Sequence, residues 1–150
     1  MSYNHSFYQK TILEHNRSPK NFKQLKDATH VCPGNNPLCG DHITVYLIYE
    51  DNQIQDISFE GEGCAISKAS ASIMTEVVKG KSPEQIKGLF KDLEGLFKTE
   101  ENSSDTEHLG ELKVFENIKG TSSRIKCVTL AWKALIGALE KQTEVSTEKE

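Results

Sequence analysis

Nowhere do the 150 residues contain the ~20 consecutive apolar positions that a membrane-crossing helix requires. The opening segment, Met1 to Lys10, has no apolar core of the kind that marks a secretory signal. Both absences lead to the expectation of a cytoplasmic protein without a membrane partner. Basic runs are missing too. The 18 Lys and Arg are outnumbered by 22 Asp and Glu, and the formal charge is -4. No cationic cluster is dense enough to neutralise a row of phosphates, so nucleic acid is not expected as a partner. There is no internal repeat and no repeated CxxC pair. Cysteine is scarce, with four residues, and in a reducing compartment these are expected as free thiols or metal ligands rather than disulfides.

What the chain does contain suits one soluble domain. Its length can bury a core without staples, and 36% hydrophobic residues with a mean hydropathy of -0.53 describe a charged surface around it. From Tyr3 to Arg17, the helical spacing of Phe7, Tyr8, Ile12 and Leu13 predicts an amphipathic helix that stops before Pro19. Thr29 to Cys32 predicts a short strand ended by Pro33-Gly34. His42 to Glu50 alternates, with Ile43, Val45, Leu47 and Tyr49 on one face, and Asp51-Asn52 turns the chain into a partner strand from Ile54 to Glu60. Ala65 to Lys79 follows as a helix closed by Gly80, then a helix opened by Ser82-Pro83. Lys98 to Glu107 reads as a polar surface loop, Leu109 to Ile118 as a short helix and Arg124 to Leu139 as the last long helix. The expected fold is α+β, a small three-stranded antiparallel sheet packed with several helices over residues 1–140, and 141–150 is expected as a charged flexible tail.

Three cysteines share a setting. Cys39 lies in Asn36-Pro37-Leu38-Cys39-Gly40-Asp41, Cys64 follows Gly61-Glu62-Gly63, and Cys127 is near the start of the last helix. A helix N-terminus presents free N–H groups that favour thiolate, the form that binds metal or attacks sulfur, and this is expected for both Cys64 and Cys127. Asp41, two residues after Cys39, would complete three thiolates and one carboxylate, a set that suits tetrahedral zinc. The competing expectation is three buried, inert thiols, since free cysteine often packs as a small hydrophobe. Cys32, inside a predicted strand, is assigned that structural role. His42 should face away from Ile43, and His5, His15, His30 and His108 show no ligand spacing, so all five are taken as surface or packing residues.

Taken together, Asn36-Pro37-Leu38-Cys39-Gly40-Asp41, Gly61-Glu62-Gly63-Cys64-Ala65-Ile66-Ser67 and Arg124-Ile125-Lys126-Cys127 resemble the IscU-like iron-sulfur assembly family, in its SufU branch, from about Phe7 to about Leu139. The resemblance implies a zinc site of Cys39, Asp41, Cys64 and Cys127, with Cys39 as the catalytic persulfide acceptor. It also implies two partners, a cysteine desulfurase that carries pyridoxal phosphate and a downstream iron-sulfur scaffold. In that branch a desulfurase histidine replaces the acceptor cysteine on zinc, so that docking releases the thiolate. Scaffold members carry a histidine where this chain has Lys126. They also carry a Leu-Pro-Pro-Val-Lys segment that is missing here, where a polar insertion occupies about 98–118. Both departures favour a zinc-dependent sulfurtransferase over the alternative, a scaffold holding a transient iron-sulfur cluster on the same cysteines. A purely structural zinc domain and a metal hydrolase are weaker alternatives, the latter because it needs an open coordination position. Arg124 and Lys126 are expected either to bring positive charge to the thiolates or to be solvated in a first helical turn.

Overall fold

A two-residue turn sets the sheet. Asp51 and Asn52 both take positive φ, 54° and 61°, which a tight hairpin demands and which Asp and Asn tolerate. In the computed structural model, which describes residues 5–98, 107–118 and 120–148, this turn joins β2 (Asp41–Glu50) to β3 (Gln53–Glu62) in antiparallel register. β1 (His30–Asn36) pairs antiparallel with the other edge of β2, from His30 opposite Leu47 to Asn36 opposite Asp41.

Two features depart from the sequence expectation. β1 runs on through Pro33-Gly34 to Asn36 instead of ending at Cys32. Proline is tolerated there because the neighbour on that side of β1 among the described residues, a fourth strand, pairs at Gly34 and Asn35 and not at Pro33. That fourth strand is the second departure. β4 (Val145–Ser146) lies parallel to β1, so the sheet has four strands in the order β3-β2-β1-β4, and residues 141–148 are not a loose tail. The reason is steric. A Cβ on Gly34 would stand 3.2 Å from Val145, and one on Gly137 would stand 2.6 Å from it. Gly34, far from Val145 in sequence, and Gly137, eight residues before it, thus leave the slot it fills, and the charges around Val145 conceal this.

Helices α2 (Ala65–Val78) and α4 (Ser122–Leu139) cover one face of the sheet, with α4 across β1 and β2 and α2 against β3. Between them lie Cys32, Ile43, Val45, Leu47, Ile57 and Phe59 from the strands and Trp132, Leu135 and Met74 from the helices, all fully buried. α3 (Pro83–Leu96) opens on a capping box in which Ser82 and Gln85 satisfy each other's backbone N–H groups. In α1 (His5–Arg17), Thr11 and His15 point inward, Ile12 is partly covered and Leu13, expected on the apolar face, is exposed. Tyr3, Asn4 and the side chains of Phe7 and Tyr8 lie outside the described residues. His15 is a packing residue, hydrogen-bonded through Nδ1 to Ser72 Oγ (2.7 Å) and through Nε2 to Glu111 (3.0 Å).

The segment Glu107–Ile118 is a 3-10 helix kinked at Gly110, not a continuous α-helix. Leu109, Leu112, Val114, Phe115 and Ile118 are buried in the common core, so the end of the expected polar insertion is apolar structure; residues 99–106 lie outside the description. No described helix is long and apolar enough to cross a membrane.

Gly61, near the end of β3, has φ 146°, and a Cβ there would sit 1.9 Å from the His42 carbonyl oxygen. Gly61→Ala is expected to lower the unfolding free energy by more than about 1 kcal/mol. Gly88→Ala, in open space within α3, is expected to raise it by about 0.5–1 kcal/mol. Urea titration of both variants measures the contrast.

Candidate metal centre

The alternation that places Ile43, Val45 and Leu47 inside also places Asp41 inside, with no exposed surface. A carboxylate taken out of water needs hydrogen bonds or a counter-charge. Two protein donors reach it: Asn36 Nδ2 to Oδ2 at 3.1 Å, and the Cys64 backbone N–H to Oδ1 at 2.9 Å. The second contact depends on Gly63, where a Cβ would meet Asp41 Oδ1 at 2.5 Å. The link from β3 to α2 therefore passes directly over the carboxylate.

Each thiol arrives on a different element. Cys39 sits in the turn joining β1 to β2, where the amides of Cys39 and Gly40 both donate to the Asn36 carbonyl and Gly40 takes φ 72° with open space around it. Cys64 is the N-cap of α2, and its sulfur accepts from the Ser67 amide at 3.4 Å. Cys127 lies in the second turn of α4, not at its N-terminus, so the helix-end stabilisation expected for it applies only to Cys64. Cys127 is buried and donates to Cys39 Sγ at 3.6 Å, while Cys39 and Cys64 are exposed. The Asn36 amide also donates to Cys127 Sγ at 3.6 Å.

The ligand atoms of Cys39, Asp41 and Cys127 all lie within 4.8 Å of one another. Cys64 falls outside that tight group, but the two thiols, Cys64 and Cys127, are near enough to shift each other's ionisation. The neighbouring Cys127 thiol, with the Ser67 amide helping, holds the Cys64 thiol down at about 6 against the cost of burial. The Cys64 neighbour, with burial, pushes the Cys127 thiol up. A tetrahedral ion with metal–sulfur bonds of ~2.3 Å would separate its sulfurs by about 3.8 Å, and the 3.6 Å between Cys39 and Cys127 matches that spacing. Cys39, Asp41 and Cys127 present two sulfurs and a buried carboxylate, a donor set that suits a divalent metal such as zinc, and Cys64 stands just outside it.

The flanking cations are placed as follows. Arg124 is exposed in the first turn of α4, and Lys126 Nζ is bound 2.8 Å from the Glu148 carboxylate. Cys32 is fully buried in the core, where burial pushes its thiol up. His42 is exposed and hydrogen-bonds to Asn35. His15, Glu76 and Glu111 form a second compact group, but the bonds of His15 to Ser72 and Glu111 already account for it as a tie between α1, α2 and the 3-10 segment. Sequence reasoning gave no role to Asn36, although it stands in the quoted Cys39 motif. Nor did it give one to Thr147, whose Oγ1 donates to Asn36 Oδ1 at 3.0 Å.

A family model described as the NifU-like N-terminal domain matches residues 7–148. The zinc-dependent sulfurtransferase SufU of Bacillus subtilis is 37% identical over 137 residues, which are 91% of this chain and 92% of that protein. The iron-sulfur cluster assembly scaffold protein IscU of Thermotoga maritima is 41% identical over 134 residues, 89% of this chain and 93% of that one. A crystal structure described as a putative iron-sulfur cluster assembly scaffold protein for the SUF system, from Fervidobacterium islandicum, superposes with a TM-score of 0.81 at 34% identity, covering 91% of this chain and 99% of the other.

In metal-free, reduced protein, iodoacetamide is expected to modify Cys64 at a rate that climbs through about pH 6, because the thiolate is the reacting form. Cys127 and Cys32, buried and held protonated, should label last. Peptide mass mapping across a pH series gives the order.

Proposed function

The chain belongs to the family of NifU-like N-terminal domains, and from that membership we propose that it serves iron-sulfur cluster assembly as a zinc-organised sulfur acceptor, with Cys39 as the acceptor thiol. The elements that carry the two exposed thiols support this role most directly. Cys64 caps α2, with its amide bonded to Asp41 and its sulfur to the Ser67 amide. Cys39 is carried on the four-residue turn 37–40 at the protein surface, with its amide bonded to the Asn36 carbonyl and its sulfur to the Cys127 thiol, so its release would disturb no helix or strand. Cys127 is buried beneath it.

The ligands would be Cys39, Asp41, Cys64 and Cys127. A bound zinc ion supplies the positive charge that keeps several neighbouring thiols ionised at neutral pH. The chain's own residues do the rest. Asn36 and the Cys64 amide hold the Asp41 carboxylate in place, and the turn 37–40 presents Cys39 to a partner. The partner is a cysteine desulfurase dependent on pyridoxal phosphate, carrying a cysteine persulfide. The Cys39 thiolate attacks the outer sulfur of that persulfide; a new S–S bond forms on Cys39 as the partner's S–S bond breaks, and the partner cysteine departs as a thiolate. The persulfide now on Cys39 then passes to a downstream assembly scaffold. The Bacillus subtilis relative, named for zinc-dependent sulfur transfer, is in keeping with this role.

One observation favours a second role. The Thermotoga maritima relative, 41% identical, is named a scaffold, and a carboxylate among thiolates is an exchangeable ligand that would keep a transient iron-sulfur cluster labile. Anaerobic loading with iron and sulfide distinguishes the two. A visible-absorbing cluster that displaces zinc and transfers to an apo-acceptor would favour the scaffold.

Purified protein is expected to hold about one zinc per chain and to stimulate its desulfurase. Cys39→Ser should abolish the stimulation while the fold persists. Metal analysis with desulfurase turnover tests this, and no metal together with no stimulation would overturn the proposal.

A further inference from the structure

The Asn36 side chain has no exposed surface, and each end of its amide is engaged. Its NH2 group donates to Asp41 Oδ2 (3.1 Å) and to Cys127 Sγ (3.6 Å). Its carbonyl oxygen accepts from the Thr147 hydroxyl (3.0 Å). Rotating that amide by half a turn would set its oxygen against a carboxylate and a sulfur, so the hydroxyl behind it fixes the one useful orientation. Thr147 has a single hydroxyl proton, and Asn36 Oδ1 is nearer than its other acceptor, Glu148 Oε2 at 3.2 Å.

Thr147 is itself seated by the sheet. Its amide donates to the Asn35 carbonyl at 3.0 Å, just past the pairing of β4 with β1. Two residues earlier Val145 fills the slot between Gly34 and Gly137. One residue later Glu148 pairs with Lys126 at 2.8 Å, beside Cys127. Thr147 and Glu148, just past the strand, thus touch two residues beside the cluster, Asn36 on β1 and Lys126 on α4.

We infer that the segment Val145 to Glu148 is a latch on the metal centre, in which Thr147 positions the Asn36 amide and Asn36 positions Asp41 and Cys127, so that docking of the strand and retention of the metal are one coupled equilibrium. This rests on the assignment of Cys39, Asp41, Cys64 and Cys127 as a metal centre. Asn36 and Thr147 are positioning residues: neither is a ligand, and each acts through the next. Groups of this kind, hydrogen-bonded to metal ligands, tune affinity. Coupling is reciprocal, so metal that is held more tightly by a docked strand must also hold the strand more tightly docked.

The test uses the full chain as wild type, Thr147→Val and Thr147→Ser. Zinc affinity is read by competition with a chromophoric chelator, and amide hydrogen exchange is followed with and without zinc. Thr147→Val is expected to bind zinc about 2- to 10-fold more weakly, the worth of one hydrogen bond, and Thr147→Ser, which keeps the hydroxyl, to bind as wild type does. In wild type, zinc should slow exchange of the Thr147 amide more than that of the Gly80 amide, which bonds to Ile54 at the opposite end of the sheet. That second measurement needs no variant, and so it decides the matter even if Thr147→Val does not fold. Equal zinc affinity in wild type and a folded Thr147→Val, or equal slowing at Thr147 and Gly80, would overturn the latch while leaving the metal centre standing. A wild-type protein that binds no zinc would overturn the metal centre, and the latch with it.

Discussion

A carboxylate buried where the strand pattern calls for a hydrophobe is the constraint around which this protein is arranged. Asp41 occupies the first inward position of β2, in line with Ile43, Val45 and Leu47. Its burial is tolerable because other elements reach it: β1 sends the Asn36 amide, and the chain entering α2 sends the Cys64 N–H. Gly63 is bare so that the second donor can approach. These contacts satisfy the oxygens without neutralising the charge. A cation at the proposed metal centre would supply the counter-charge.

The same convergence separates rigid from movable parts. Cys64 and Cys127 are held by helices, one as a cap and the other in a buried second turn. Cys39 is held by a turn and by the Cys127 thiol that donates to its sulfur, at the end of a hairpin whose strands pair without it. In the proposed centre, one ligand on a turn among ligands on helices would let the site open on one side and close again, as a thiol that exchanges sulfur with another protein requires. The exchange would leave the core untouched, because no core side chain lies in the turn 37–40.

Much of this was legible in the sequence because it is local. Asp51-Asn52 between two alternating runs specifies a hairpin, and Ser82 with Gln85 specifies a helix start. A cysteine directly before an Ala- and Ser-rich run is a helix cap. What was hidden is long-range. The strand at Val145 exists because two glycines elsewhere leave room for it. On α1, His15 turns inward to bond Ser72 while the apolar Leu13 stays exposed. Lys126 reads as a charge available to the thiolates until Glu148, which neutralises it, is placed beside it. Asn36 stood within a recognised motif, yet nothing in a single chain shows that an amide there bridges a carboxylate, a sulfur and a distant hydroxyl.

Asn36 and Thr147 are separated by 111 positions along the chain, and that span bears on the order in which the molecule assembles. Contacts close in sequence form first, and distant ones follow once the loops between them have been drawn together. The hairpin of β2 and β3 can be in place early. The Asn36 amide gains the hydroxyl that orients it only when the far strand docks. The support of Asp41 and Cys127 is therefore completed by one of the longest-range contacts in the fold, and its formation ties the finishing of the site to the finishing of the sheet.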